Sequence, residues 1–78
     1  MKIQKVMKIQ IVITNEFGEF NGEVTDVTEE QYGIIVKISK EYYKNGFEMV
    51  CEDGSYLIIP PEIIQKSIYK INIVNENI

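Results

Sequence analysis

The sequence predicts a small all-β domain built from antiparallel strands, and its apolar composition is the first reason. Among its 78 residues are fifteen isoleucines and seven valines, but only one leucine and no alanine. β-branched side chains lose rotamer freedom in a helix and pack well on a pleated sheet, whereas alanine and leucine are the strongest helix formers. Two further observations, alternating apolar positions and regularly spaced turn signals, support the same fold class.

The first predicted strand covers residues 8–14, where Ile9, Ile11 and Ile13 alternate with polar side chains. A hairpin turn over residues 15–18 follows it. The second strand then covers residues 19–27, and a change in its apolar parity predicts a bulge or bend near Gly22 or Thr25. Strong bending of this kind is what a small closed barrel requires of its strands.

Residues 28–32 are predicted to form a polar connection, after which Gly33 opens a predicted third strand, Ile34 to Ile38. That strand is apolar on both faces at its start, so we expect it to be central in the sheet. The longest irregular stretch is residues 39–46. A fourth strand with Phe47, Met49 and Cys51 on one face leads through Asp53-Gly54 into a fifth strand.

After the fifth strand, Tyr56 to Ile59, the sequence Pro60-Pro61 predicts a short helical turn that begins at Pro61. The last predicted strand covers residues 68–74. We expect one domain over residues 1–78, with residues 1–7 and 75–78 as flexible ends.

The spacing of these strands and glycines resembles that of the SH3-like and Sm-like small barrels over residues 8–74. The segments that carry the resemblance are Phe17-Gly18-Glu19, Gly22-Glu23-Val24, Gly33-Ile34-Ile35-Val36 and residues 56–64. It implies a five- to six-stranded antiparallel barrel with one short helical turn before the last strand. The chain has no tryptophan for an SH3 peptide site and lacks the nucleotide-pocket motifs of Sm proteins. The resemblance therefore informs architecture and not activity.

Composition also bounds the chemistry of the chain. It carries a net charge of −4, no histidine, no arginine and a single cysteine, Cys51, which we expect in the core. Without histidine, the commonest general base and the commonest metal ligand are missing. The acidic pairs Glu29-Glu30 and Glu52-Asp53 are interpreted as solvated turns. We therefore expect no enzyme activity, no cofactor, no bound metal and no membrane span, and we expect a cytoplasmic protein.

The segment Lys40 to Gly46 is the most suggestive candidate for recognition. It places Tyr42 and Tyr43 between Lys40 and Lys44 on the longest loop. Tyrosines offer a large contact area at low entropic cost, and lysines could neutralise a phosphate. The alternative is that Tyr42 or Tyr43 caps one end of the core.

A second candidate surface consists of apolar positions on the predicted outer face. Val12, Ile35 and Leu57 occupy such positions. An exposed apolar set usually marks an interface, and an open strand edge could join copies into a homo-oligomer. Alternatively, a short segment or the chain ends could cover these side chains.

The leading hypothesis is a non-catalytic binding protein whose partner is another protein. An accessory inhibitor from an AT-rich bacterium or its phage, which binds a host protein, would have this composition. The alternative is a Sm-like binder of single-stranded nucleic acid that uses Tyr42, Tyr43 and Lys44. A third hypothesis is an oligomeric sponge for a small anionic nucleotide, with its pocket at a subunit interface.

Overall fold

The computed structural model describes residues 5–74, and in this range the chain forms six strands and three short helices. The elements in chain order are β1 (Val6–Asn15), β2 (Gly18–Asn21), β3 (Thr25–Thr28), α1 (Glu29–Ser39), α2 (Tyr42–Asn45), β4 (Phe47–Val50), β5 (Tyr56–Ile59), α3 (Pro61–Ile64) and β6 (Ile68–Val74). The predicted flexible end at 75–78 and the first four residues of the one at 1–7 lie outside the described residues. Val6 and Met7, also predicted to be flexible, belong to β1 instead, where they pair with β3.

β1 is the central strand of the larger sheet. One of its edges pairs with β2 and β3, and the other pairs with all of β6, always antiparallel. Ile13 lies opposite Phe20 of β2 and opposite Tyr69 of β6. Ile9 and Ile13 are buried and Ile11 packs against the core, so the three isoleucines lie on the core face of this sheet, as their alternation predicted.

The strand after the first hairpin bends at Gly22, as the parity of its apolar residues predicted. β2 and β3 pair with the same edge of β1, but their registers differ by one residue, as expected for a bulge. The Gly22 N–H donates to the carbonyl of Ile11 over 2.7 Å. A Cβ at this position would lie 2.9 Å from Met49 Sδ and 3.2 Å from the Ile11 carbonyl oxygen, so a side chain here would have to displace Met49.

The β4–β5 hairpin forms the second sheet and is attached to this bend. Gly22 forms an isolated antiparallel bridge with Cys51, and Glu23 N–H donates to the Val50 carbonyl over 3.1 Å. Side by side, the strands therefore lie in the order β5, β4, the bent strand formed by β2 and β3, β1 and β6. Within residues 5–74, β5 and β6 do not pair, so the strands form two antiparallel sheets and not a closed barrel.

The predicted third strand is wrong, because residues 29–39 form the α-helix α1. Thr28 is its N-cap, and its side chain accepts from Gln31 N–H while the Gln31 side chain accepts from Thr28 N–H. This reciprocal capping box, with Glu29 and Glu30 in the first turn, begins a helix despite the β-branched residues that follow. Together with α2, it gives the chain more helix than the single predicted turn.

The remaining elements agree with the prediction. β4, β5 and β6 lie where the alternation placed them, and Pro61 begins α3. The buried cluster that joins the two sheets consists of Ile13, Phe47, Ile59 and Ile64. Cys51 is also buried. α1 contributes no buried residue to this core.

The predicted outer apolar set is also corrected. Val12 is only 7% exposed, because it lies between β2 and β6, opposite Asn21 and Lys70. Leu57 is half-buried and packs against the core cluster. Ile35 is half-buried on α1 and not on a central strand. These three residues therefore do not form one exposed surface.

Two glycine substitutions test the helical assignment of residues 29–39. Gly33 lies inside α1 with open space where a Cβ would stand. Gly33→Ala should therefore raise the free energy of unfolding by about 0.5–1 kcal/mol, because alanine restricts the unfolded chain and favours the helix. Urea denaturation followed by circular dichroism measures the change.

Gly46→Ala is the matched control with the opposite sign. Gly46 has φ +85°, and a Cβ there would lie 2.8 Å from the Ile59 carbonyl oxygen. We expect the free energy of unfolding of this variant to fall by more than about 1 kcal/mol. A destabilised Gly33→Ala variant would contradict an exposed helix at this position.

Candidate functional site

A groove of about 300 Å³ lies where the end of α1, α2, α3 and β6 meet. Its volume is at the lower limit of small-molecule sites, and it would hold one or two side chains of a partner. The lining residues come from all four elements: Val36, Ser39, Lys40, Tyr42, Tyr43, Ile64, Tyr69 and Ile71. Three of the residues predicted to bind a partner, Lys40, Tyr42 and Tyr43, are therefore brought together here.

Tyr42 forms the inner wall of the groove and is part of the aromatic packing at the end of the core. Its ring lies 4.6 Å from Phe47 in an edge-on arrangement and 5.7 Å from Tyr69, measured between centroids. Phe47 and Tyr69 also meet edge-on at 5.4 Å. The three rings support one another. The Tyr42 ring is therefore held by its neighbours and is not free to stack on a ligand.

Tyr43 forms the outer wall, with 51% of its surface exposed. Its carbonyl accepts from Gln65 Nε2 over 2.6 Å, which holds the backbone of α2 against the turn after α3. Lys40 lies on the rim between α1 and α2. Lys44 is exposed and is not among the lining residues. The predicted recognition loop thus supplies one core-capping tyrosine and one accessible tyrosine.

A hydrogen-bonded hydroxyl pair lies inside the groove. Ser39 Oγ donates to the Ile35 carbonyl over 2.6 Å and lies 2.8 Å from the Tyr69 hydroxyl. Because the serine proton is directed to Ile35, Tyr69 donates to Ser39. This contact joins the last turn of α1 to β6 and leaves lone pairs on the Tyr69 oxygen for a ligand donor.

Burial raises the pKa of both Tyr42 and Tyr69 above the ordinary tyrosine value. A low-dielectric environment disfavours the charged phenolate. Both hydroxyls are therefore neutral at physiological pH, and they suit hydrogen bonding better than proton abstraction.

The acidic pairs lie outside the groove. Glu29 and Glu30 belong to the first turn of α1, where their negative charges interact favourably with the helix dipole. Glu52 accepts from Gln10 and Asn21, both over 3.2 Å.

Asp53 has a lowered pKa, because the Ser55 hydroxyl and backbone N–H donate to its carboxylate. In the part of the chain described here, no three His, Cys, Asp or Glu side chains are grouped closely enough to hold a metal ion.

The exposed apolar side chains of α1 were missed by the sequence prediction. Ile34, Val36 and Ile38 are all exposed, with Ile34 and Ile38 one turn apart and Val36 on the groove side. The signal that could have found them is the capping box Thr28-x-x-Gln31. Once the segment is known to be helical, its four β-branched residues exceed what one helix face can bury.

None of the helices in residues 5–74 has the length and apolarity needed to cross a membrane. The cytoplasmic location stays a prediction.

Comparison with protein-family models, with curated proteins and with solved structures finds no match for the chain. The fold and the site define a small sheet-rich antiparallel domain with an apolar groove beside a helix that buries none of its residues.

The raised pKa of Tyr69 predicts a loss of stability in alkali. A folded-state pKa above the unfolded value of about 10 leaves stability intact below that pH and removes it as the pH rises further. Tyr69→Phe should flatten this decline, at a cost of about 1 kcal/mol at neutral pH from the lost Ser39 contact. Urea denaturation at pH values from 7 to above 10 measures the free energy of unfolding as a function of pH.

An unchanged alkaline slope in Tyr69→Phe would show that burial of this hydroxyl does not couple to stability.

Proposed function

We propose that the chain is a non-catalytic protein-binding module that uses α1 and the adjacent groove as its contact surface. The observation that carries this proposal is that α1 buries none of its eleven residues, although four of them are isoleucine or valine. Exposed apolar surface of this extent usually marks an interaction site. The partner would cover Ile34, Val36 and Ile38 and place a side chain in the groove.

The weakness of α1 as an isolated helix supports the same proposal. Helices shorter than about 12–15 residues are marginal in water, and tertiary packing normally supplies most of their stability. α1 contains Gly33 and four β-branched residues, all of them poorer helix formers than alanine. A partner that covered the helix would supply the packing that the chain itself does not.

The chemistry of the groove indicates the kind of partner segment. Its walls are mainly aliphatic and aromatic, so an aliphatic or aromatic anchor fits them best. Lys37, Lys40 and Lys44 lie along the end of α1 and in α2, although the whole chain is acidic. We therefore propose a partner segment with an apolar anchor and nearby carboxylates that meet these lysines.

Single-stranded nucleic acid is the second candidate, favoured by the exposed ring of Tyr43 beside Lys40 and Lys44. The packing of Tyr42 on Phe47 and Tyr69 leaves Tyr43 as the one exposed ring of the Lys40–Lys44 segment, and this favours a protein partner. The two candidates differ in salt dependence, since binding to phosphates weakens steeply as salt rises.

At the level of architecture, we propose an open relative of the SH3-like and Sm-like barrels. The lateral order of the strands, the bend at Gly22 and the helical turn α3 before β6 support this relation. The longer helix α1 stands where the resemblance implied a strand. The relation concerns the backbone, and the binding proposal does not depend on it.

A photo-crosslinking amino acid at Ile38 tests the surface first, in the cells that naturally hold the protein. A crosslinked protein would then be purified and its affinity measured by calorimetry. Replacing Val36 and Ile38 together by glutamine should weaken that affinity by about 30-fold or more, as expected for loss of a central apolar contact. Glutamine is a good helix former, so α1 should remain folded.

The matched control replaces Val50 and Ile58 by glutamine; they are a valine and an isoleucine on the β4–β5 hairpin that are more exposed than Val36 and Ile38. This double variant should bind like the wild type. Equal losses in both double variants would contradict a specific role for α1. Salt-sensitive oligonucleotide binding that Tyr43→Ala weakens by about 1–3 kcal/mol would favour the nucleic-acid candidate instead.

A further inference from the structure

We propose that the chain forms a homodimer in which β6 pairs antiparallel with β6 of a second copy, around a two-fold axis at Ile71. This inference concerns a different element from the α1 surface and goes beyond the proposed function. It is carried by three observations: the open edge of β6, the exposure of Ile73 on the core face, and the self-complementary sequence of the strand.

β6 presents a long and regular edge. All seven of its residues pair with β1 without interruption, and no other backbone in residues 5–74 bonds to it. Edge strands in monomers are usually short or interrupted by proline or a bulge. β5, the other edge, has four residues and ends at Pro60-Pro61. β6 has neither safeguard and carries a single charge, Lys70.

The core face of the larger sheet is incompletely covered along β6. Ile73 lies directly opposite Ile9 and therefore shares its face. Ile9 is buried, yet Ile73 is 55% exposed. Tyr69 and Ile71, on the same face, are only half-buried and line the groove. An apolar side chain from beyond the edge would complete this face.

A second copy of β6 supplies such side chains in register. With the axis at Ile71, Tyr69 of each copy meets Ile73 of the second copy, and Ile71 meets Ile71. Lys70 then meets Asn72, so no two lysines face each other. Moving the axis to Lys70 would pair the two lysines. The contact is isologous, as in the commonest class of homodimer, and it unites the two larger sheets into one.

The dimer also changes the groove, because Tyr69 and Ile71 belong to both surfaces. Ile73 of the second copy would lie beside Tyr69 and extend the apolar wall. The site of each copy would then include a residue from its neighbour.

A charge exchange across the axis tests this register. Asn72 is exposed, so Asn72→Lys should leave the monomer folded, but it places two lysine pairs across the dimer. Sedimentation velocity over a dilution series should show a dissociation constant raised by about 2- to 30-fold. Adding Lys70→Glu turns both pairs into opposite charges and should restore the wild-type dimer. Asn72→Gln is the neutral control.

A cysteine crosslink tests the axis independently of any change in affinity. Directly opposed residues have Cα atoms about 4.5–5.5 Å apart, within reach of a disulfide. Ile71→Cys should therefore give covalent dimers under mild oxidation. Ile73→Cys should not, because the two copies of this position would lie about 13 Å apart, four residues along the strand.

A wild-type chain that stays monomeric up to millimolar concentration would overturn the proposal. So would a dimer that ignores Asn72→Lys and forms no Ile71→Cys crosslink, since it would use another surface. A double glutamine variant at Ile34 and Ile38, which leaves the groove lining intact, should dimerise normally, and this separates failure of the β6 contact from failure of the α1 surface.

Discussion

The missing side chain at Gly22 is the constraint on which the arrangement of the two sheets depends. At this residue the strand after the first hairpin bends, its N–H reaches the Ile11 carbonyl, and Met49 Sδ lies 2.9 Å from where a Cβ would stand. The same residue bridges to Cys51 and so brings the β4–β5 hairpin against the bent strand. A larger residue would have to displace the end of the Met49 side chain and would crowd the Ile11 carbonyl oxygen, 3.2 Å from the Cβ position.

The end of the core follows from that placement. Once the hairpin is attached, Phe47 and Ile59 pair across β4 and β5 and face Ile13 of β1. The chain leaves β5 through Pro60-Pro61 and returns Ile64 to the same cluster by the single turn of α3. α2 ends close by at Gly46, where a Cβ would lie only 2.8 Å from the Ile59 carbonyl oxygen. The groove is the space that these turns leave beside β6.

The sequence predicted the strands and turns whose signals are local. Alternating isoleucines identified β1, and the Asp53-Gly54 turn between alternating segments identified the β4–β5 hairpin. α1 was missed because a run such as Ile34-Ile35-Val36 has no period of its own, and its β-branched composition favours a strand. The capping box decided the outcome, since it satisfies backbone donors that only a helix leaves open.

The candidate site was predictable only in part, because burial is a tertiary property. The sequence identified the Lys40–Lys44 segment, but not which tyrosine would pack on Phe47 and which would stay exposed. It also placed Val12 outside, because strand parity says nothing about the side chains of neighbouring strands. Asn21 and Lys70 flank Val12 from β2 and β6, and that pairing depends on the whole sheet.

The small size of the domain gives the two exposed surfaces a common cause. A chain of 78 residues buries only about 60% of its unfolded surface, and this one has no disulfide to compensate. Its four-residue core cluster cannot also cover α1 and the outer edge of β6. The apolar side chains that this core leaves exposed can be buried only against another chain. Because α1 and β6 meet at the Ser39–Tyr69 contact, both surfaces border the same groove.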